Sequence, residues 1–276
     1  MGKEVPYVLF QPVGKDYEMK IGIIGYGIVG KATEVTLRRW YDYDFDLVVH
    51  DIKFVGSSNE TMRKTMKDCK YIFICLPTPP TPDGKCDIRF IDEAVQNLST
   101  CEGTIIIRSS VPPMTCDILS ERYSREILFM PEFLTEKKFW YDAENPEFIV
   151  IGGQAEAVYA MDELFSKFPS ELRFIIPKRD AELLKYSMNC FFSTKVVFAN
   201  AMYDVATTVG ASWDSVREIM QLHPFVGKNH FDVFHGGFRG YGGKCLPKDT
   251  KAIAYGFNSK FFAFIDKYNE ELTKNG

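Results

Sequence analysis

Lys20-Ile21-Gly22-Ile23-Ile24-Gly25-Tyr26-Gly27-Ile28-Val29-Gly30 is the stretch whose reading decides the fold. Ile21 to Ile24 is an apolar run of strand length, three glycines follow at once in G-x-G-x-x-G spacing, and Lys31 to Trp40 contains no helix breaker. Strand, tight glycine turn and helix in that order open a βαβ unit that binds a dinucleotide. Gly25 would make the turn, Gly27 would let the backbone meet a pyrophosphate, and Gly30 would let the helix pack closely on the strand, while the helix N-terminus offers N–H donors to an anion. Tyr26, Ile28 and Val29 complete the cofactor-facing turn. Asp51 stands 21 positions beyond Gly30, at the end of a second apolar run, Leu47 to His50, where a carboxylate binds an adenosine ribose. A carboxylate there repels a 2′-phosphate, so NAD is expected over NADP; Lys53, close by, is the residue that would favour the phosphorylated cofactor.

Working outward, Tyr71 to Leu76, Thr104 to Ile107, Ile127 to Met130, Phe148 to Ile151 and Leu172 to Ile176 are further short apolar runs with potentially helical stretches between them. Such alternation predicts an α/β fold, a Rossmann-like doubly wound parallel sheet with helices on both faces. After Pro177 the character changes. Arg179 to Val209 has apolar residues at helical spacing (Leu183, Leu184, Met188, Phe191, Phe192, Val196), which predicts one long, largely buried helix. Another helix should start after Ser212, a good N-cap. A segment rich in glycine and aromatics, His223 to Gly243, leads to a last helix after Pro247. The expected organisation is an N-terminal extension over 1–18, a cofactor domain over 19–177 and an all-helical central domain over 178–276.

Of the 276 residues 46% are hydrophobic and 25% charged, with a net charge of -4 and no long basic run, so neither nucleic acid nor an anionic membrane surface is an implied partner. No stretch has the ~20 apolar residues that span a bilayer. The seven cysteines form no C-x-x-C pair and, with the four histidines, no metal spacing. Their odd number and the absence of a signal peptide fit a reducing cytoplasm, in which thiols are free for chemistry.

One of those thiols is distinctive. In Gly240-Tyr241-Gly242-Gly243-Lys244-Cys245-Leu246-Pro247-Lys248-Asp249 the glycines would let a substrate carbon approach the sulfur, Pro247 suits the first turn of a helix, and Lys248 with that helix terminus would favour a thiolate. Lys185 and Asn189, at i and i+4 of the long helix, can face one point, the geometry of an oxyanion site. Taken singly, these residues also read as a snorkelling lysine, a packing asparagine and a core cysteine.

Six blocks in order make the chain similar to the UDP-glucose/GDP-mannose dehydrogenase family over residues 19 to about 265: the turn at 25–30; Leu76-Pro77-Thr78-Pro79; Ser109-Ser110-Val111-Pro112; Pro131-Glu132-Phe133-Leu134; Ala181-Glu182-Leu183-Leu184-Lys185 with Asn189; and the cysteine loop. The resemblance implies NAD-dependent oxidation of a nucleotide sugar, UDP-glucose to UDP-glucuronate above all, in two hydride transfers through a thiohemiacetal and a thioester on Cys245. It implies that Lys185 and Asn189 stabilise the oxyanion, that Asp249 positions or activates water, and that Glu132 assists thioester hydrolysis. Ser110 stands where the family usually has threonine. Leu76, Pro77, Thr78 and Ser110 are expected at the cofactor, and Phe133, Leu134, Tyr241, Gly242 and Gly243 at the substrate. The chain ends 27 residues after Asp249, which implies a short form without the family's C-terminal nucleotide-binding domain. Phe225 occupies the place of an arginine that reaches across a dimer interface in many members, and Arg239 or Lys228 could substitute. A homodimer is expected from the several apolar faces of the long helix. Two other readings remain open from sequence: a single-hydride hydroxy-acid dehydrogenase, and a non-catalytic NAD- or partner-binding remnant.

Overall fold

The computed structural model describes residues 19–135 and 137–275; the extension expected over 1–18 lies outside the described residues. Seven strands form one sheet: β1 (Lys20–Ile24), β2 (Asp46–His50), β3 (Tyr71–Ile74), β4 (Thr104–Ile107), β5 (Ile127–Phe129), β6 (Ile149–Gly152) and β7 (Arg173–Ile176), in the order β2-β1-β3-β4-β5-β6-β7. Helices α1 (Ile28–Trp40), α2 (Asn59–Met66), α3 (Arg89–Asn97), α4 (Thr115–Tyr123), α5 (Phe139–Glu144) and α6 (Ala155–Leu164) lie between the strands. The two periods of the strands explain the two cores. Ile72, Ile74, Ile105 and Ile107 point to one face and pack with Met62 of α2, Ile91 and Val95 of α3 and Leu119 of α4. Tyr71, Phe73, Ile106 and Leu128 point to the other and pack with Leu37 of α1 and Met161 and Leu164 of α6. Each fully buried isoleucine contributes about 1.5–3 kcal/mol.

The sheet is not wholly parallel. β6 runs antiparallel to β5, and only Phe129 and Gly152 are in register, so β6 and β7 extend beyond the carboxyl edge of β5. A short apolar run reads the same in either direction, which is why the sequence suggested parallel strands throughout. The reversal returns the chain to the carboxyl edge of the sheet, the edge at which open α/β sheets bind ligands. There begins α7 (Lys178–Val209), closed by Gly210 in the left-handed conformation at φ 71°. A side chain at Gly152 would collide with Ala181, so the helix crosses close to β6.

The inward face of α7 is more polar than expected, although Tyr186, Val196 and Val197 are also buried on it. Its buried stripe contains Glu182, Lys185, Asn189, Ser193 and Asn200, whereas Leu183, Phe191, Phe198, Val205 and Val209 are exposed. The apolar spacing gave the helix correctly but its inward face only in part. α8 (Trp213–Met220) follows, with the Ser212 hydroxyl capping the Ser215 N–H at 3.3 Å. The expected single last helix is two, α9 (Leu246–Gly256) and α10 (Lys260–Asn275), because Asn258 takes a left-handed φ of 54° and turns the chain between them.

Glu182 joins the helical layer to the sheet layer. Fully buried, it accepts hydrogen bonds from the N–H groups of Met114 at 2.6 Å and Cys116 at 2.8 Å, closing the start of α4 from another helix. Burial outweighs these donors and raises its carboxyl from 4.5 to about 7. A pKa raised in the folded state means stability that is full below the unfolded value and lost as pH rises through about 7. Compared with Glu182→Gln, the wild-type protein should therefore lose stability between pH 5 and pH 8, by up to about 3 kcal/mol. Urea melts of both proteins at the two pH values check this; a difference that does not change with pH counts against it.

Candidate active site

The cofactor half of the site is built on the β1–α1 turn. Gly25 has φ 87°, and a side chain on it would lie 2.6 Å from the Cys75 carbonyl; one on Gly30 would lie 2.2 Å from the Gly25 carbonyl. Both positions exclude a side chain for these packing reasons. Gly27 and Ile28, by contrast, are exposed at the mouth of the turn, and a side chain on Gly27 would touch nothing. No described side chain caps α1 and its first turn has no acidic residue, so its leading N–H groups are directed at a free anion position. Asp51 is held by the same turn: one carboxylate oxygen accepts from the Tyr26 N–H at 2.6 Å and the other from the Lys53 N–H at 2.9 Å. Val29 contributes its carbonyl, which accepts from the Thr33 hydroxyl at 2.8 Å. Glycine cradle, open helix terminus and preset carboxylate fit a dinucleotide.

The floor beside this turn is tied across strands. Thr78 Oγ1 donates to the Ser110 carbonyl at 2.9 Å and Ser109 Oγ to the Leu76 carbonyl at 2.6 Å, so the loops leaving β3 and β4 hold each other, with Pro77 exposed above them. β3 itself ends at Ile74, two residues before the expected Leu76, because the chain turns into these ties.

The second half lies where α7 passes the loop after β5. Lys185 Nζ is 2.9 Å from Glu132 Oε1 and donates to the Glu132 carbonyl at 2.6 Å, and both side chains are nearly buried, at 5% and 9% exposure. The other Glu132 oxygen accepts from the Leu134 N–H at 2.8 Å, and Phe133 lies under the Lys185 ammonium at 5.6 Å. Burial raises the Glu132 carboxyl, but Lys185, the Leu134 N–H and Arg108 outweigh it and hold the group below its ordinary value. One turn along α7, Asn189 Nδ2 donates to Asp249 Oδ2 at 2.5 Å, and Lys248 Nζ occupies Asp249 Oδ1. Asp249 is fully buried with both oxygens engaged, which suits it to orienting Asn189 more than to deprotonating water.

Cys245 precedes α9 directly, with Pro247 in the first turn. It is an exposed residue, yet its thiol is raised above the ordinary value: burial contributes most, Glu132 and Asp249 add to it, and Lys185 and Lys248 oppose it. That direction runs against the expected thiolate. Lys248 is neutralised by Asp249 and cannot hold a second anion at full strength. Cys245 feels the charges of Glu132, Lys185, Asp249 and Lys248.

Sequence reasoning missed what fixes the cysteine loop. Asn269 of α10 accepts from the Tyr241 N–H at 2.6 Å and donates to the Tyr241 carbonyl at 3.0 Å, copying a strand partner. Gly240, at φ 83°, admits this amide, since a side chain there would lie 2.5 Å from Asn269 Oδ1. Tyr241, expected at the substrate, is instead buried among Val196, Val197 and Ile265, because its ring anchors the loop. Gly242 and Gly243 remain at the surface of the loop, the latter with φ 76°. Arg239 is not free to reach a substrate: it binds Asn200 at 3.1 Å and Asp204 at 2.8 Å. The one signal for Asn269 was a polar residue in register with Ile265 and Leu272 on an amphipathic helix. Asn269→Ala should cost about 1–3 kcal/mol by leaving two buried main-chain groups unpaired. It should also speed alkylation of Cys245 by iodoacetamide; an unchanged rate would show that the anchor does not set the thiol.

Among the described residues no group of three or more His, Cys, Asp and Glu side chains could hold a metal, and no helix is long and apolar enough to cross a membrane.

Known proteins resemble the chain over both its sheet and its helical part. Residues 53–169 match the NAD binding domain of the UDP-glucose/GDP-mannose dehydrogenase family, and residues 179–270 match its central domain. The UDP-glucose 6-dehydrogenase YwqF of Bacillus subtilis is 29% identical over 273 residues, 85% of this chain and 61% of its own length. The UDP-glucose 6-dehydrogenase of Rickettsia bellii is 30% identical over 214 residues, 73% of this chain and 47% of its own. Among solved structures, a UDP-glucose dehydrogenase from Pyrobaculum islandicum superposes with a TM-score of 0.76 at 25% identity, covering 96% of this chain and 70% of that one. A UDP-D-ManNAc dehydrogenase from Pyrococcus horikoshii shares the fold, with a TM-score of 0.75 at 20% identity over 92% of this chain and 69% of that one. The chain spans 64%, 30% and 61% of the length of three curated relatives. The glycine turn and Asp51 precede the matched segments, so their assignment rests on the structure of the β1–α1 turn.

Proposed function

Because the chain belongs to the UDP-glucose/GDP-mannose dehydrogenase family and carries its NAD-binding domain, we propose that it oxidises the primary alcohol of a nucleotide sugar, UDP-glucose first among them, to a carboxylate. What supports this reading is the pairing of Lys185 with Glu132 and of Asn189 with Asp249 along α7, with Glu132, Lys185 and Asp249 all acting on the exposed thiol of Cys245. Bound NAD would be held by Gly25 to Gly30 and Asp51 and would serve as the hydride acceptor in each of two oxidations.

The residues of the chain supply the rest. Oxidation of the alcohol to the aldehyde releases the hydroxyl proton, which the Lys185–Glu132 pair takes up, while Lys185 and Asn189 donate to the developing oxyanion. The Cys245 sulfur then bonds the aldehyde carbon, and the thiol proton passes to the carbonyl oxygen to give a thiohemiacetal. A thiol that rests protonated brings that proton with it. Loss of the hydroxyl proton to the Lys185–Glu132 pair, which has passed the first proton to solvent, and of a hydride leaves a thioester. Water next forms a C–O bond, its proton goes to Glu132, which has by then returned its earlier protons to solvent, and the C–S bond breaks with the sulfur leaving as a thiolate that recovers a proton from Glu132. Ser110 belongs to the tied β3–β4 floor, its carbonyl accepting from Thr78.

The reading is tested by counting NADH released per UDP-glucose, with mass spectrometry for an acyl adduct on Cys245. Two per sugar, with the adduct, are expected. One per sugar with Cys245 dispensable would instead mark a single-hydride dehydrogenase, and NAD affinity without turnover of any nucleotide sugar a binding remnant. The exposed stripe Phe191, Phe198, Met202, Val205 and Val209 suits pairing with a second copy, so a homodimer is part of the proposal; light scattering that finds only monomer at micromolar concentration overturns it. All seven cysteines are free, which suits the cytoplasm.

A further inference from the structure

Arg108, which ends the apolar run of β4, has no role in the chemistry above. It is 5% exposed. Its Nε donates to Thr33 Oγ1 at 3.2 Å and its Nη1 to the Pro131 carbonyl at 3.3 Å, and no described carboxylate lies within ion-pair distance of it. A buried cation without an ion pair is costly, and such groups persist where their charge is used. Both of its partners bear on the site. Thr33 stands one turn beyond Val29 in the helix that begins at the glycine turn, and Pro131 is the residue before Glu132.

We propose that Arg108 is a positioning residue for Glu132: its guanidinium fixes the Pro131–Glu132 main chain and keeps the Glu132 carboxylate charged while Lys185 turns from it to a substrate oxygen. The proposal deepens the reading above and rests on it for the role of Glu132. The groups that face Glu132 are Lys185 from α7, the Leu134 N–H from its own loop, Cys75 from the end of β3, Cys245 from the loop before α9, and Arg108. Of the two cations, Lys185 makes the direct contact and is the one assigned to the oxyanion. Were it the only cation, the carboxylate would lose its counter-charge at the moment it must accept a proton from the attacking water. Arg108 has no such second duty. Its hydrogen bonds run to main chain and to a threonine, so it stays in place through the cycle.

The experiment follows the Glu132 carboxyl without substrate. Protein labelled at the glutamate carboxyl carbon is titrated by 13C NMR, with Glu132→Gln assigning the resonance. In Arg108→Met the Glu132 midpoint should rise by about one pH unit, and Arg108→Lys, which keeps the charge, should stay near the wild-type midpoint. A midpoint unmoved in Arg108→Met, or moved as far in Arg108→Lys, overturns the proposal; Arg108→Gln takes the place of the methionine variant if that one does not fold. In the working enzyme Arg108→Met should also displace the acid limb of the rate profile upward and accumulate the Cys245 acyl adduct on that limb, with hydrolysis at neutral pH unchanged. An enzyme that makes no NADH from any nucleotide sugar refutes the dehydrogenase reading alone, and the titration still decides for or against Arg108.

Discussion

Cys245→Ala is expected to abolish formation of the sugar acid, with kcat for the full oxidation lower by a thousandfold or more, on the order of what removal of a covalent nucleophile costs. The fold should survive, because the side chain is exposed and makes none of the hydrogen bonds that hold the loop; those belong to Tyr241, Asn269 and Gly240. NAD affinity should also be unchanged, since the glycine turn is a separate structure. Without sulfur to capture it the aldehyde has no covalent tether, so the variant should release less than one NADH per enzyme and then stall. Rapid-mixing measurement of NADH with and without excess UDP-glucose distinguishes these phases. Two NADH per sugar in the alanine variant would remove the thiol from the mechanism.

Lys185→Ala should be nearly as damaging and in a different way. Loss of an oxyanion donor lowers kcat about a hundred- to a thousandfold. The same change leaves Glu132 buried without its direct partner, and breaking a buried pair costs about 3–5 kcal/mol, a penalty that Arg108 softens by its charge. The Glu132 carboxyl is held low by Lys185 ahead of its other partners, so in the variant its pKa rises and hydrolysis of the acyl adduct should begin only at higher pH. Urea melts and a pH–rate profile measure the two consequences separately. A variant that loses rate without any shift of the acid limb would show that Glu132 does not depend on the lysine.

Much of this site was legible in the chain because its parts are local. The turn from Gly25 to Gly30 is specified within six residues, the Ser212 cap within four, and Lys185 with Asn189 by one helical turn. What escaped depends on partners far apart in sequence. Glu182 finds Met114, Arg108 finds Thr33 and Pro131, and Asn269 finds Tyr241, separations that no period or motif encodes. The inward face of α7 was only partly legible for a related reason: polar residues share it with Ala181, Tyr186, Cys190, Val196 and Val197, while Leu183, Phe191, Phe198, Val205 and Val209 are turned outward. The direction in which the Cys245 thiol is shifted was misjudged because proximity of Lys248 in sequence said nothing of Asp249 taking that charge first.

Asn269 follows Cys245 in the chain, yet it holds the loop that presents the thiol. During synthesis, therefore, the glycine turn, the tied floor and most of α7 are made before the brace that completes the site. The loop that carries Cys245 takes its braced geometry only once α10 has been made and has docked.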